Sequence, residues 1–527
     1  MQIIYNAHLY PTASFETCQT AIAIENGLVI ATGSNADIIN LSRPGCDLLD
    51  AQGRTILPGL TDSHIHLSLF AQSLAKINCE TATKKACLEL VANKARTAKA
   101  GEWITGHGWN QNNWPEGFGT AADLDAVSPD NPVYLTDKAL HAAWANTAAM
   151  RLAGISSQTT DPRGGIIQRT VDGSPTGIFF ETAVFIVERA IPKIPAEMLV
   201  GLLKHAQQEL WKVGLTAVHD FDDLACFEAL QTLHQKGELK LRVTKSIPEA
   251  ALDDAVAMRL QTGFGDAMLR IGSLKLFADG ALGPQTAAML DAYTDNPDNF
   301  GVLIGDSQHF YPIFEKAVRN HLAVAVHAIG DRANREVLNA YTRLRIFETQ
   351  NHLPKFPHRI EHVQIIQPQD QACLVELGIT ASMQPIHATS DMFTCDRCWG
   401  DRSRYAYAFK ELLNRGAHLV FGSDAPVESP NPFFGLHAAV TRKRQDGSPN
   451  QDGWYPAQKL SLSEALKAYT SGPSAIYGRQ AEQGSLIPGS FADLILLDSD
   501  PFQVNMDDLH FLKPSGTMIA GEWVWKP

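Results

Sequence analysis

The sequence predicts an α/β protein: a distorted (β/α)8 TIM barrel, a small β-sandwich built from both chain termini, and a large insertion after the first barrel strand. Three observations predict this architecture. Short apolar runs alternate with stretches of helical periodicity through the middle of the chain. Both ends of the chain contain short strand-like runs separated by turn residues. The central region is also much longer than the ~250 residues that such a barrel needs.

The two ends of the chain have the pattern of a β-sandwich. Near the N-terminus, residues 21–31 form a hairpin pattern around Asn26-Gly27, a dipeptide typical of two-residue turns. Near the C-terminus, residues 518–525 have the pattern of a second hairpin. We therefore predict that residues 1–56 and 481–527 meet in one composite sandwich domain.

Between these ends, residues 57–480 have the pattern of a parallel barrel of eight β/α units. Helical periodicity recurs between the apolar runs, for example over Glu197–Lys212 and Tyr311–Asn320. The excess length lies mainly at about residues 70–200, which we interpret as the insertion. The eight predicted strands are Ile56–His66, Thr216–Asp220, Arg242–Ile247, Ser273–Ala278, Ala323–Ala328, Arg359–Val363, Ile379–Met383 and Leu419–Asp424.

The composition is that of an ordinary globular protein, with 45% hydrophobic and 19% charged residues. A net charge of −13 argues against a nucleic-acid or anionic-membrane partner. No apolar run approaches the ~20 residues that span a bilayer, and the N-terminus lacks the basic and apolar segments of a signal peptide. The eight cysteines are too scattered for a disulfide framework. These observations predict a reduced, cytoplasmic protein.

Residues that suit metal binding recur at the carboxyl ends of five predicted strands, where barrels of this kind have their active sites. One histidine at a strand end is more often an ordinary hydrogen-bonded residue than a ligand. Lys275 alone could pair with an acid, and Asp424 alone could cap a turn. Coincidence at five strand ends is much rarer. The set is His64 and His66 on the first strand, Lys275 on the fourth, His327 on the fifth, His362 on the sixth and Asp424 on the eighth.

This residue set suits one or two divalent metals, most readily zinc, because imidazole and carboxylate are zinc ligands; Mn²⁺, Fe²⁺ and Ni²⁺ are alternatives by ligand type. Burial beside cations depresses the pKa of a lysine, whose neutral amine can take up CO₂ as a bridging carbamate. His64, His66 and Asp424 would then hold one ion, and His327 and His362 the other. A water between the ions would be acidified toward hydroxide, and Asp424 could accept its proton and return it to a leaving nitrogen.

Longer motifs surround these residues: Pro58–His66, Lys275–Gly283, His327–Asp331, Arg359–Gln364, Met383–Pro385, Gly422–Pro426, Leu462–Leu466 and Gly484–Leu494. Together they resemble the amidohydrolase superfamily, and more narrowly its family 3, the group similar to N-substituted formamide deformylase. The resemblance covers nearly the whole chain, without a departure at any ligand position. It implies a metal-bearing barrel, a sandwich from both termini and an insertion after the first strand. The superfamily varies in whether the lysine that corresponds to Lys275 is carboxylated and in how many metals are bound, so both questions stay open for this chain. Dimers are common in the superfamily, and a homodimer is therefore possible.

The insertion supplies candidate substrate contacts. Its segments Gly106–Trp114 and His141–Asn146 are similar to segments found in this family. Trp109, His141 and Trp144, together with Trp114, could form walls of the substrate pocket. The alternative is that the aromatic residues only pack the insertion against the barrel.

Further candidates lie on the predicted rim. His387 and Asp391 follow the seventh strand, and His387 could contact the substrate or orient the transition state as a catalytic residue. His219, Asp220 and Asp279 lie at the ends of the second and fourth strands. For these three we predict hydrogen bonds that support the metal ligands.

Two other motifs are interpreted as coincidental. His358–His362 fits the H-x-x-E-H pattern of inverted zinc proteases, which requires a helix. Pro357 before it favours a strand, in which residues four apart lie about 13 Å from each other, so only His362 is retained. Cys395 and Cys398 form a single CxxC without a second pair, and we predict two free thiols, with Cys398 able to approach a ligand.

These residues predict a metal-dependent hydrolase of carbon–nitrogen bonds other than peptide bonds, acting on a small amide, N-substituted formamide or N-acyl substrate. In this hypothesis metal-activated hydroxide attacks the carbonyl and Asp424 shuttles the proton. One alternative is a deaminase, decarboxylase or isomerase, because sites and not folds decide chemistry. Another is a metal-binding protein without turnover. The presence of both Asp424 and Lys275 disfavours it, since a binding protein needs no proton shuttle.

Overall fold

The structure is a computed structural model that describes residues 1–12, 14, 19–162, 164–192 and 194–526. None of the helices in these residues is long and apolar enough to cross a lipid bilayer. The strands are β1 (Gln2–Tyr5), β2 (His8–Leu9), β3 (Ala21–Glu25), β4 (Leu28–Gly33), β5 (Asp47–Asp50), β6 (Thr55–Pro58), β7 (Leu60–Ile65), β8 (Ile77–Asn78), β9 (Ile104–Trp109), β10 (Val133–Asp137), β11 (Ala142–Ala145), β12 (Gly165–Arg169), β13 (Pro175–Glu181), β14 (Leu215–Asp220), β15 (Arg242–Pro248), β16 (Leu269–Phe277), β17 (Val324–Ala328), β18 (Arg359–His362), β19 (Thr380–Met383), β20 (Leu419–Phe421), β21 (Leu494–Leu497), β22 (Pro514–Ile519) and β23 (Glu522–Trp525). The helices are α1 (Asn35–Ile39), α2 (Leu67–Ser73), α3 (Lys84–Ala95), α4 (Ala121–Val127), α5 (Thr147–Leu152), α6 (Val184–Glu188), α7 (Ala196–Lys212), α8 (Leu224–Gln235), α9 (Leu252–Ala257), α10 (Ser307–Arg319), α11 (Asp331–Gln350), α12 (Pro368–Glu376), α13 (Pro385–Trp399), α14 (Phe409–Asn414), α15 (Pro432–Thr441), α16 (Leu462–Tyr469) and α17 (Ser471–Ile476).

The central sheet has eight strands in the order β20-β19-β18-β17-β16-β15-β14-β7. Its neighbouring strands are all parallel. A parallel bridge between Ile65 and Ala425 links the two edges and nearly closes the sheet. Strands such as β17 are buried along their whole length, as expected where helices cover the outside of a parallel sheet. The predicted distorted (β/α)8 barrel is confirmed.

The first predicted strand needs a correction. Ile56–His66 is two strands, because the chain leaves one sheet and enters another at Gly59. A Cβ atom on Gly59 would lie 2.3 Å from Oγ1 of Thr216, so only glycine permits this crossing. His66 lies beyond β7 and precedes α2, and therefore the alternation of a strand does not set its direction.

The predicted β-sandwich contains strands from both ends of the chain. One sheet has the order β4-β3-β1-β5, and the other has the order β2-β6-β21-β22-β23. Their apolar faces share one buried cluster, in which Ile4 and Ile24 of the first sheet meet Leu494 and Met518 of the second. The predicted limits of the domains, 1–56 with 481–527 and 57–480, stay predictions.

The insertion lies between β7 and α7 and contains a sheet of six strands in the order β12-β13-β11-β10-β9-β8. It has an apolar core of its own, which includes Trp109, Trp114 and Trp144. The hydroxyl group of Thr286, in the loop after β16, donates a hydrogen bond to Glu181 of β13. The insertion therefore packs on the end of the barrel at which the strands finish.

Candidate metal centre

Three predicted ligands form a tight, buried cluster at the carboxyl ends of the barrel strands. Ring nitrogens of His64 and His362 and a carboxylate oxygen of Asp424 lie within 4.8 Å of one another. His64 Nε2 is 3.2 Å from Asp424 Oδ1. His66 Nε2 is 3.3 Å from the same oxygen. The first and eighth strands bring these residues together because they meet where the barrel closes.

The backbone turns sharply at two of these residues. In β18, the alternation of a strand directs Arg359 and Glu361 to one face and His362 to the other. However, φ is 76° at His362 and 61° at Asp424. This left-handed region is uncommon for residues with a Cβ atom, and such outliers cluster at functional sites. The turn brings the His362 ring centroid to 5.0 Å from that of His64.

His327 borders the same space without joining the tight cluster. Its ring centroid is 4.5 Å from that of His362. Its Nε2 atom, however, is 3.0 Å from the carbonyl oxygen of Gly280. The imidazole N–H therefore donates to the backbone, and a metal at this nitrogen would require that hydrogen bond to break.

Lys275 has the environment that the carbamate hypothesis needs. Its Nζ atom is buried and has no hydrogen-bond partner among the described residues. Nζ lies 4.7 Å from the ring centre of Phe221 and 4.8 Å from that of Phe277. Burial lowers the pKa of Lys275 to about 8. A lowered pKa increases the fraction of neutral amine, the form that reacts with CO₂.

The cluster fits a divalent metal by the chemistry of its donors. His64 Nδ1 is 2.6 Å from Glu361, and His362 Nδ1 is 2.8 Å from the side-chain oxygen of Gln384. Metal-binding histidines usually donate one ring N–H to such a group and leave the other nitrogen for the ion. With the ring proton on Nδ1, Nε2 of His64 and Oδ1 of Asp424 are two acceptors that face each other at 3.2 Å. Two buried acceptors in this position are costly unless something binds both, and a cation would do so.

Glu361 and Arg359 support His64 from inside the barrel, although neither was among the predicted site residues. Arg359 donates to Glu361 at 3.0 Å and to the carbonyl oxygen of Ser63 at 2.7 Å. Burial raises the pKa of Glu361, but Arg359 and His64 outweigh it and hold that pKa well below its usual range. Both residues lie on the strand that ends at the predicted ligand His362, and this position was a signal that they lie near the site.

Asp222 supports His66 in the same way and was also missed. Its Oδ1 atom is 3.2 Å from His66 Nδ1. Burial lowers the pKa of His66, but its hydrogen bonds with Asp222 and Asp424 outweigh burial and raise it to about 10. The surroundings of this imidazole therefore favour a positive charge.

A second buried group of ligand-type atoms comprises Asp220, Asp222 and Cys226. Lys245 already places a cation there, with Nζ 2.9 Å from Asp220 Oδ2. Asp220 also accepts a hydrogen bond from the N–H of Leu67 at 2.8 Å. This group fixes the loop that contains His66 and needs no metal.

The other two predicted supporting residues lie against the backbone and the barrel interior. His219 Nδ1 accepts a hydrogen bond from Arg359 at 2.9 Å. Asp279 accepts from the N–H groups of Ile329 and Gly330, at 3.0 and 2.7 Å. Asp279 Oδ1 is also 3.5 Å from His327 Nε2. His219 therefore contacts Arg359, which supports His64 through Glu361, and Asp279 lies beside the predicted ligand His327.

Trp109 and Trp144 lie inside the core of the insertion. Both have no exposed surface. Their indole N–H groups donate to carbonyl oxygens of the insertion itself, those of Leu135 at 2.9 Å and Thr120 at 2.8 Å. This placement matches the packing alternative, and a ligand on the rim has no access to either ring.

His141 has a different position. Its ring centroid is 6.1 Å from that of His327, and its Nδ1 atom is 2.9 Å from Glu181. Burial lowers the pKa of His141, but Glu181 outweighs burial and raises it to about 9. A protonated imidazole of the insertion thus borders the centre.

His387 and Phe277 also border the centre. His387 Nε2 is 3.9 Å from Asp424 Oδ2. The ring centroids of His387 and His362 are 6.2 Å apart, with the rings nearly parallel. Phe277 is 44% exposed, and its ring centroid lies 5.3 Å from that of His327. Phe277 was not among the predicted site residues. Its position at the end of the strand that bears Lys275 was a signal that it borders the site.

In the two motifs interpreted as coincidental, His358 and the two cysteines have partners other than the predicted ligands. His358 Nε2 is 2.9 Å from Glu348 of α11, and its ring stacks on Tyr341. The thiols of Cys395 and Cys398 are free. The Sγ atom of Cys398 lies 3.4 Å from the side-chain nitrogen of Gln285.

Comparisons with known proteins cover nearly the whole chain. The model of the amidohydrolase family matches residues 47–525. The Bacillus subtilis (strain 168) protein YtcJ is 31% identical over 96% of this chain and 96% of its own length. N-substituted formamide deformylase of Arthrobacter pascens is 27% identical over 98% of this chain and 97% of its own. The crystal structure of an uncharacterized metal-dependent hydrolase from Pyrococcus horikoshii OT3 superposes with a TM-score of 0.79 at 28% identity, covering 96% of this chain and 99% of that one.

Proposed function

The chain belongs to the amidohydrolase family, and from this premise we propose that it hydrolyses the carbon–nitrogen bond of small non-peptide amides. N-substituted formamides are the first class to test, because a relative that matches 98% of the chain is named a deformylase of such compounds. N-acyl compounds are the next class. A solved structure that matches 96% of the chain is described as an uncharacterized metal-dependent hydrolase.

One observation carries the proposal: Nζ of Lys275 is buried and has no hydrogen-bond partner among the described residues. On the same rim, Nε2 of His64 faces Oδ1 of Asp424 at 3.2 Å. A buried amine without a hydrogen bond, next to an imidazole and a carboxylate that face each other, is a reactive arrangement. A lysine with a purely structural role would have a carboxylate partner.

His64, His66 and Asp424 would hold one metal, and His327 and Lys275 would contribute to a second. His362, which was expected at the second ion, lies between the two sets, with its ring centroid 5.0 Å from that of His64 and 4.5 Å from that of His327. Imidazole and carboxylate donors favour zinc. A metal bound there supplies polarisation of a carbonyl oxygen and a lower pKa for a nearby water.

The side chains around the ligands carry the remaining roles. Asp424 accepts a proton from the attacking water through one carboxylate oxygen and returns it to the leaving nitrogen. His387, at 3.9 Å from Oδ2 of Asp424, is near enough to contact the reacting group after a small movement. Phe277 offers an exposed apolar surface to one substituent of the amide. Glu361 keeps Nε2 of His64 directed to the centre.

The test measures products rather than substrate loss. The zinc-loaded protein is incubated with N-alkyl formamides, N-aryl formamides and the corresponding acetamides, and amine, carboxylate, ammonia and CO₂ are quantified. We expect equal amounts of amine and carboxylate, with the Asp424→Asn variant as the matched control. Ammonia alone would indicate a deaminase and CO₂ a decarboxylase, and either result would contradict the proposal.

A further inference from the structure

Asp424 lies in a turn whose first residues are hydrogen-bonded to the barrel. The N–H of Asp424 donates to the carbonyl oxygen of His64 at 2.7 Å, and the N–H of His66 donates to that of Ala425 at 2.9 Å. These bonds attach the start of the turn to the first strand. The backbone at Asp424 has a φ of 61°, a conformation that persists only where the surroundings impose it.

His107 of the insertion holds the next residue of the turn. It is buried in β9, with Nε2 2.9 Å from the carbonyl oxygen of Pro426 and Nδ1 2.9 Å from Oγ1 of Thr136. Burial lowers the pKa of His107 to about 4, so the ring is neutral. Because a carbonyl oxygen can only accept, Nε2–H is the donor and Nδ1 accepts from the hydroxyl of Thr136.

Lys138 of the insertion holds the end of the same turn. Its Nζ atom lies 3.0 Å from Glu428 and 2.6 Å from Glu80. The side chain of Glu428 is 8% exposed, whereas that of Glu80 is 58% exposed. Exposed ion pairs contribute little, while removing one partner of a buried pair is costly. Of the two ion pairs of Lys138, the one with Glu428 therefore contributes more to holding the turn in place.

We propose that His107 and Lys138 are positioning residues for Asp424, so that the insertion completes the metal centre by holding the turn 424–428. The barrel alone fixes the first residues of this turn, and the insertion fixes the last ones. This inference rests on the proposed function in one respect only, the assignment of Asp424 as a metal ligand. Neither residue touches the metal or the substrate in this account.

The test uses Co²⁺ as the probe, since its visible absorption reports ligand geometry without any substrate. Full-length protein is stripped with a chelator and titrated with Co²⁺. We expect the double variant His107→Leu, Lys138→Met to bind Co²⁺ about 10–100-fold more weakly, the usual effect of removing groups that support a ligand. Its absorption bands should shift, while its near-ultraviolet circular dichroism stays that of the unchanged protein.

The controls separate positioning from general damage. His107→Gln keeps an N–H donor and an acceptor and should restore most of the affinity, as should Lys138→Arg. Asn112→Ala removes another contact between insertion and barrel, the 2.9 Å hydrogen bond with Arg397, and should leave the affinity unchanged. If the double variant fails to fold, Glu428→Gln tests the same ion pair from the barrel side.

Two results would overturn the inference: unchanged Co²⁺ affinity and bands in the folded double variant, or an equal loss in Asn112→Ala. A parent protein that binds no Co²⁺ would overturn it as well. Failure of the proposed function is distinguishable, because it would show as absent amide hydrolysis while the Co²⁺ differences persist.

Discussion

The two halves of the metal centre are built differently. In the half formed by His64, His66 and Asp424, each histidine donates a hydrogen bond from Nδ1–H to a carboxylate and directs Nε2 to Oδ1 of Asp424. In the half formed by Lys275 and His327, the amine has no hydrogen-bond partner within the described residues, and the imidazole N–H donates to the backbone. The first half is preorganised, and the second requires a rotated ring or a modified lysine. We infer that the first half binds its ion more tightly.

The largest expected effect comes from Asp424, which belongs to the preorganised half and is also the proposed proton shuttle. Asp424→Asn keeps an oxygen donor, so metal should still be bound at saturating zinc. Turnover should fall about 10²–10⁴-fold, the usual contribution of a general base. Steady-state rates together with elemental analysis check this. An unchanged kcat would remove Asp424 from the role of base.

Replacing one histidine of each half by alanine compares how tightly the two halves bind metal. His64→Ala should abolish the tight site and lower metal content to below one ion per chain. His327→Ala should leave the tight site occupied and affect only a second, weaker ion. Elemental analysis after dialysis against a weak chelator gives the counts. Full occupancy in His64→Ala would refute its assignment as a ligand.

Glu361 tests whether the preorganisation depends on the carboxylate behind His64. Glu361→Gln should weaken metal binding about 10–100-fold. It also leaves Arg359 buried without its counterion, which should lower the free energy of unfolding by about 3–5 kcal/mol. Denaturation of the metal-free protein measures the second effect. Glu482→Gln, which breaks an ion pair with a 53% exposed carboxylate, is the control and should cost about 0–1 kcal/mol.

The smallest effect concerns Phe277, the exposed side chain beside the less organised half. Phe277→Ala should raise KM for an N-aryl formamide more than for N-methylformamide, with a difference of about 0.5–1.5 kcal/mol for the lost aromatic contact. The value of kcat should change little. Phe264→Ala removes a 66% exposed ring that precedes β16, at the opposite end of the barrel, and should leave both KM values unchanged.

The sequence was sufficient to predict the barrel because apolar runs and helical periodicity are local patterns. The sequence was also sufficient to locate ligand-type residues at the carboxyl ends of predicted strands. In a parallel barrel these ends lie at the same rim, so residues far apart in the chain could be expected to lie close together. The position of Glu361 next to His362 was a signal that it lies near the site, but its pairing with His64 was not predictable from local pattern, since the two residues are 297 positions apart. His66 was expected within a strand, but the chain changes sheets at Gly59 and ends the strand one residue earlier.

The insertion was the least predictable region. Trp109 and Trp144 look like pocket residues by composition, but their direction depends on how a six-stranded sheet packs, in which β13 and not β12 pairs with β11. His107, two residues before Trp109, contacts the Asp424 turn and had no distinguishing pattern. A homodimer and a cytoplasmic location stay predictions.

The most direct test of the inequality between the two halves is anomalous diffraction at the zinc edge from crystals that contain one equivalent of zinc per chain. We expect a single strong peak between His64, His66 and Asp424, with His362 within reach. We also expect weak density or none beside Lys275 and His327. A dominant peak beside Lys275 and His327 would contradict this expectation.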